Sequence, residues 1–275
     1  MSKRKEEAIV YSQEMLTDGI YSLWIETSMA SQAKAGQFIG VFTGDGTKLL
    51  ARPISICDVK SDEKLLRMVY RVSGGGTDLI SKLKKGDKVS VIGVLGNGYE
   101  KAACGYNEES SNCELIPLNK SLEGMKVIVI GGGIGIPPML LAAKSLQCEK
   151  VMVLGYANKN TFLKDEFDKL GQVYISTDDG SLGTKGTVID AIKENGVSGD
   201  VIFACGPMPM LRGIKAYAKE HGMKAYISLE ERMACGVGAC LGCVTKTVNK
   251  DHHTHVNNTR ICVEGPVFDS EVVDI

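Results

Sequence analysis

The sequence predicts a multidomain protein in which an antiparallel β-barrel precedes an α/β doubly wound dinucleotide domain and a small cysteine-rich C-terminal unit. From Glu7 to Gly98 short apolar alternations are broken by glycine, as in IYSLWIET, GQFIGVFT, LLRMVYRV and DKVSVIGVLG. That period of two is the signal of closely spaced antiparallel strands. Further on, KVIVI, VMVLGYA, VYIST and DVIFACG alternate with helical stretches such as PPMLLAAKSLQ and PMLRGIKAYAKEHG. This alternation implies a parallel, doubly wound sheet. Beyond Leu229 four cysteines fall within the last 47 residues, too short a stretch for a large core, so this unit is expected to fold around a metal. The boundaries expected from these changes are 1–98 for the barrel, 99–122 for a linker or surface excursion, 123–228 for the α/β domain and 229–275 for the cysteine-rich unit. The linker is placed where NEESSNCELIPLNKSLEG loses periodicity.

Composition narrows the function classes. Hydrophobic residues at 44% and charged residues at 24% are ordinary for a globular chain and argue against disorder or a fibrous repeat. A net charge of −1 without a long basic stripe gives no reason to expect nucleic acid. Met1 to Glu7 is followed by no signal-peptide core, and the most apolar stretch, Val127 to Ala143, carries glycines and prolines in its middle. No membrane association and a cytoplasmic location are therefore expected. Nine cysteines cannot all pair as disulfides, so metal ligation is the first explanation to test.

The barrel ends in the first ligand motif. Arg52-Pro53-Ile54-Ser55 is followed by Val69-Tyr70-Arg71 and by Gly74-Gly75-Gly76-Thr77 at the start of a helical stretch. Free N–H groups at a helix N-terminus favour a pyrophosphate, and Arg52 and Arg71 can add charge-assisted bonds to the same phosphates. Ser55 can hydrogen-bond a ring nitrogen of an isoalloxazine. Taken singly, Arg52 reads as a surface arginine and the glycines as a turn.

The α/β domain opens with Gly131-Gly132-Gly133-Ile134-Gly135-Ile136-Pro137-Pro138 directly after a strand and before a helix, the context a dinucleotide turn requires. Gly133, Ile134 and Gly135 are the candidate contacts. Prolines stand where the usual fingerprint has its last glycine, and a proline in the first helical turn loses no needed N–H. Cys205 and Gly206 follow the strand VIFA at the carboxyl edge of the same sheet, where they could floor a nicotinamide pocket. The plainer reading of Cys205 is a small buried hydrophobe.

In the C-terminal unit, Cys235-x4-Cys240-x2-Cys243 followed by Cys262 has the plant-type ferredoxin spacing for a [2Fe-2S] cluster. Gly236, Gly238 and Gly242 let backbone N–H groups approach the sulfurs. A four-cysteine zinc site is the alternative, though it usually shows two CxxC pairs and only one is present. His252, His253 and His255 lie in the insert DHHTHVNN, read as a solvated loop with a second metal as the alternative.

With RPIS, GGGTD, GGGIGIPPM and CGPMPML in this order, residues 5 to 228 resemble the ferredoxin-NADP reductase superfamily. The ending ACGVGACLGC, then CVEGPVF, narrows the resemblance to the electron-transfer subunits of dihydroorotate dehydrogenase B. The resemblance implies FAD contacts at Arg52 to Ser55, Val69 to Arg71, Gly76 and Thr77. It also implies cluster ligands at Cys235, Cys240, Cys243 and Cys262, and NAD as the nicotinamide substrate. The implied partner is an FMN-containing dihydroorotate dehydrogenase catalytic subunit in a hetero-oligomer, a heterotetramer, serving pyrimidine biosynthesis. The excursion near 99–122 and the histidine-rich insert depart from that pattern.

The residues fit a relay and supply no convincing general base or nucleophile set, so no catalytic residue is expected. Two other readings stand beside it. One is the flavin subunit of a ferredoxin-NADP oxidoreductase or sulfhydrogenase complex, and the other a non-catalytic, metal-stapled module. GYANKN and STDDGS are expected to meet the adenosine ribose, where Asp178 and Asp179 favour NAD over NADP and Lys159 is the contrary residue. Met233 to Leu241, with Ala234, Val237, Ala239 and Leu241, is the expected docking loop, unless these side chains merely shield the cluster.

Overall fold

The computed structural model describes residues 3–103, 118–250 and 255–275. Six strands, β1 (Arg4–Thr17), β2 (Ile20–Glu26), β3 (Phe38–Val41), β4 (Arg52–Lys60), β5 (Leu65–Arg71) and β6 (Lys88–Leu95), close into a barrel in the order β1-β2-β5-β4-β3-β6. Every pairing is antiparallel, and β1 against β6 seals the ring. The alternation in KVSVIGVL turns Val89 and Val91 inward, into one cluster with Leu23, Ile39, Ile56 and Met68. A short helix, α1 (Gly75–Ile80), follows β5 on the barrel rim.

Two helical pieces, α2 (Tyr99–Ala103) and α3 (Leu118–Ser121), lead to the second domain. There β7 (Lys126–Gly132), α4 (Ile136–Ser145), β8 (Glu149–Tyr156), α5 (Lys164–Asp168), β9 (Gln172–Thr177), β10 (Thr184–Lys185), α6 (Val188–Glu194), β11 (Val201–Cys205), α7 (Met208–Glu220) and β12 (Lys224–Ser228) alternate along the chain. The strands lie in the order β10-β9-β8-β7-β11-β12 and run parallel. The direction in which successive strands are added reverses between β7 and β11, the switch point where ligands bind in such sheets. α4 is apolar almost all round because it is covered all round, on the sheet side and by β4 of the barrel. Barrel and doubly wound sheet are thus as the sequence predicts.

The chain after β12 is less independent than its length suggests. β13 (Val244–Lys246) and β14 (Asn258–Arg260) form a hairpin, but β15 (Val267–Asp269) joins the large sheet antiparallel to β12. Asn97, at the end of the barrel, donates its backbone N–H to Gly265 O at 2.6 Å and its Nδ2 to Val263 O at 2.7 Å. Buried Cys243, Ile261, Cys262 and Phe268 therefore share one apolar cluster with the sheet and with Phe38 and Leu95 of the barrel.

The expected linker at 99–122 is also more than an excursion at its ends. Residues 104–117 lie outside the described residues, but Tyr99 is fully buried, stacks on Phe203 with ring centroids 4.6 Å apart and donates its hydroxyl to Ala204 O at 3.0 Å. Elsewhere along the same contact Arg67, in β5, donates to both carboxylate oxygens of Glu166 in α5 at 2.7 and 2.9 Å, and Lys144 reaches Asp58 at 2.5 Å. Barrel and sheet are clamped at three points. Among the described residues no helix is long and apolar enough to cross a membrane.

Tyr99→Phe leaves Ala204 O without its buried donor and should lower the unfolding free energy by about 1–3 kcal/mol. Denaturant unfolding checks it; an unchanged midpoint would mean that this bond does not hold the domains together.

Candidate functional site

A cleft of about 920 Å³ opens between barrel, sheet and C-terminal unit, a volume within the range of small-molecule and cofactor sites. Its barrel wall is built from the motif residues: Arg52, Pro53, Ile54 and Ser55 at the start of β4, Val69, Tyr70 and Arg71 at the end of β5, and Thr77 in α1. The antiparallel barrel makes this meeting possible, since β4 and β5 are neighbours and their motif-bearing ends face the same rim. Ile134 lines the cleft from the sheet side.

The arginines sit where an anion would need them. Arg52 lies across the glycine turn: a Cβ on Gly76 would overlap its guanidinium, and a Cβ on Gly75 would lie 2.9 Å from Lys48 Cε. Arg52 is held there by its own loop, donating to Lys48 O at 3.2 Å and to Leu50 O. Arg71 reaches toward the dinucleotide turn, its Nη2 lying 3.8 Å from where a Cβ of Gly133 would be. Thr77 Oγ1 accepts the Ser73 and Gly74 N–H groups at 3.0 and 3.2 Å, so the turn offers fewer free donors than the sequence suggests. Those of Gly75 and Gly76 belong to the first helical turn, which has no intrahelical acceptor.

The dinucleotide turn is shaped by close backbone approach. Gly133 takes a positive φ of 53°, and a Cβ on Gly135 would overlap Cys205 O at the neighbouring strand end. Cys205 and Gly206 are themselves buried and do not line the cleft; Ser228 and Glu230 do. Burial, then the negative charge of Glu230, push the Cys205 thiol up, and a Ser228 hydrogen bond opposes them. Glu230 is open to the cleft but enclosed by its walls; that enclosure raises its carboxyl, with Arg71 pulling the other way. GYANKN and STDDGS lie side by side: Asp178 N donates to Tyr156 O at 3.1 Å and Asp179 N to Ala157 O at 3.4 Å.

The sequence reading missed Lys48 and the stretch from Ser228 to Arg232, which lines the cleft together with Met233, expected only in the docking loop. Its one signal was the charged run Glu230-Glu231-Arg232 between the last strand and the first cysteine. Beyond it Cys235 sits in a small crevice against the barrel, and Phe38, Ala51, Pro53 and Met233 line both this crevice and the large cleft.

The four cysteines gather two by two. Cys235 hydrogen-bonds with Cys240, and Cys243 with Cys262, while the Cys235 charge is felt at Cys262. Two pairs joined by one plant-type spacing suit a pair of bridged metals better than a single zinc. Gly236 and Gly238 have φ of 66° and 93°, and Ala239 N donates to Cys235 Sγ at 3.3 Å. Burial raises the Cys235 thiol, yet backbone donors led by Val237 N–H bring it down to about 6. Cys262, by contrast, is pushed up to about 12 by burial and by its Cys243 neighbour. Donor set and loop therefore fit a [2Fe-2S] cluster. His252 and His253 lie outside the described residues, and His255 is exposed.

Residues 230–274 match the family model for the iron-sulfur cluster binding domain of dihydroorotate dehydrogenase B. The chain is similar to the protein named dihydroorotate dehydrogenase B (NAD(+)), electron transfer subunit, of Bacillus mycoides, 38% identical over 271 residues and 96% of each chain. Its Fusobacterium nucleatum counterpart is 37% identical over 280 residues and 98% of each chain. Among solved structures, an NADH-dependent reduced ferredoxin-NADP oxidoreductase superposes with a TM-score of 0.80 at 27% identity, over 97% of this chain and 89% of that one. A Neisseria gonorrhoeae ferredoxin NADP+ reductase, at 14% identity and a TM-score of 0.61 over 83% and 94%, shares the fold.

Gly76→Ala should displace the Arg52 guanidinium and weaken FAD binding at least about tenfold, the loss of one charge-assisted hydrogen bond. Flavin fluorescence titration measures this; native affinity would remove Arg52 from the site.

Proposed function

The chain belongs to the family of dihydroorotate dehydrogenase B electron transfer subunits, and from that premise we propose how its residues pass electrons between NAD(H) and a partner. It is an oxidoreductase subunit that works with FAD, a [2Fe-2S] cluster and NAD, beside an FMN-containing catalytic subunit that oxidises dihydroorotate. The chemistry that bound FAD supplies is conversion between the two-electron hydride of a nicotinamide and the single electrons of a cluster.

The chain's own residues supply positions and charges. Arg52, with Gly76 and Thr77 beneath it, and Arg71 are assigned to the FAD pyrophosphate. Pro53, Ile54, Ser55, Val69 and Tyr70 are assigned to the flavin edge of the cleft, where apolar walls exclude water. Gly133, Ile134 and Gly135 are assigned to the nicotinamide dinucleotide, with Cys205 and Gly206 setting the floor from beneath rather than touching it. Cys235, Cys240, Cys243 and Cys262 are assigned to the cluster. The observation that carries the relay is the shared wall: Phe38, Ala51, Pro53 and Met233 border both the cleft and the crevice of Cys235. Two redox sites separated by one layer of side chains need no further carrier.

The docking surface is assigned to the outer side of the cysteine loop. Val237 is half-buried and packs inward, whereas Ala234, Ala239 and Cys240 are exposed, as is Leu241 at 64%. An exposed leucine beside an exposed cluster ligand suits a close, dry contact. A role in a ferredoxin-linked complex is the second reading, favoured by the TM-score of 0.80 with the ferredoxin-NADP oxidoreductase.

Cys240→Ser should keep FAD and NADH-dependent dye reduction but abolish dihydroorotate-dependent NAD+ reduction in the mixed complex. Equal loss of both activities, or neither, would contradict the relay. Leu241→Glu should keep the cluster and the dye reaction while weakening the complex by about tenfold, or 1.4 kcal/mol. Sedimentation and the coupled assay read this, and unaltered affinity would place the interface elsewhere. Electron exchange between NADH and ferredoxin, with no dihydroorotate-dependent NAD+ reduction in the mixed complex, would favour the second reading.

A further inference from the structure

The cysteine loop is held from its outer side by two cations. The Val237–Gly238 peptide accepts Lys3 Nζ on its carbonyl at 3.2 Å and turns its N–H toward Cys262 Sγ. The next peptide, Gly238–Ala239, accepts Arg260 Nη1 on its carbonyl at 2.9 Å and donates its N–H to Cys235 Sγ at 3.3 Å. Each peptide is a dipole with a cation at its negative end and a cysteine sulfur at its positive end. Only glycine can join them in this way, because Gly238 has φ of 93° and a Cβ there would overlap Val263. Arg260 is in turn locked by Glu264: Oε1 lies 2.6 Å from Nη2, while Oε2 accepts from Nε at 3.2 Å and from the Arg260 backbone N–H at 2.9 Å. The guanidinium thus shows Nη2 and Nε to the carboxylate and Nη1 to the loop. It joins the segment carrying Cys235, Cys240 and Cys243 to the one carrying Cys262.

We propose that Arg260, seconded by Lys3, is a positioning residue that aims two consecutive peptide N–H groups at the cluster sulfurs and so favours the reduced cluster. Reduction adds one negative charge, and aligned peptide donors with a cation behind them stabilise that charge. Glu264 offsets part of the guanidinium charge at long range but fixes its direction. The inference rests on the cluster assignment above.

A dye-equilibrated redox titration of the FAD- and cluster-loaded chain, with the reduced cluster followed by electron paramagnetic resonance, tests it. In Arg260→Gln the ratio of reduced to oxidised cluster at a fixed poise should fall roughly tenfold, equivalent to 59 mV for a one-electron couple. Arg260→Lys should recover most of that loss, and Lys3→Gln should show a smaller fall in the same direction. An Arg260→Gln protein that keeps its iron and titrates with the native chain overturns the proposal. If Arg260→Gln does not retain iron, the other two variants decide. Iron retained near the native potential in Arg260→Lys, with a lowered potential in Lys3→Gln, supports the proposal. Iron lost from Arg260→Lys, or an unmoved potential in Lys3→Gln, overturns it. A native chain that carries no iron after anaerobic purification overturns the cluster assignment itself, and this proposal with it.

Discussion

The pairing of β15 with β12 is the constraint on which the rest depends. Val267–Asp269 enters the large sheet as an edge strand, with Ser228 opposite Val267, so the chain that left the sheet at Ser228 must return to it. Everything between, including the four cysteines, is a closed excursion whose ends are fixed. Asn97 grips the returning segment through Val263 O and Gly265 O, which turns the excursion toward the barrel rather than into solvent. The cysteine loop consequently packs on Phe38 and Leu95, residues of the same barrel whose outer rim forms the cleft. Covalent distance between the domains is long, but the separation of the two redox sites is set by this one return.

Charge is arranged to match. Arginines stand at the glycine turns, where the proposed assignment puts the phosphates, and the residues Phe38, Ala51, Pro53 and Met233 lie between the cleft and the crevice of Cys235. Among the cysteines, backbone N–H donors favour the charged form of Cys235, while burial and the neighbouring Cys243 and Cys235 oppose it at Cys262. The clamps Arg67–Glu166, Lys144–Asp58 and Tyr99–Ala204 O lie away from these sites and keep barrel and sheet in register.

Much of this was legible because local pattern and tertiary role agree. The barrel runs alternate with period two, the sheet strands are continuous apolar runs, and RPIS, the glycine turns and the cysteine spacing each carry their chemistry in the residue types. What was not legible is tertiary. A three-residue edge strand such as Val267–Asp269 has no periodicity to detect, and Tyr99 lies where the pattern fades, so its stacking on Phe203 gives no local sign. Arg67 alternates like any strand residue although its guanidinium is buried against another domain. Lys48 reaches the Gly75 turn, and Glu230 the cleft, only because the loop before β4 and the exit from β12 converge there. Val237 looked like an interface residue by composition, yet the positive φ of its glycine neighbours turns it inward.

The central claim is that cleft and cluster exchange electrons within this one chain, across the wall of Phe38, Ala51, Pro53 and Met233. Anaerobic rapid mixing of the isolated, cofactor-loaded chain with NADH, followed by freeze-quench electron paramagnetic resonance, addresses it directly. The account predicts a reduced-cluster signal that rises with flavin bleaching, without any partner present. Complete bleaching of the flavin beside a cluster that stays oxidised, though a low-potential dye reduces it, would contradict it.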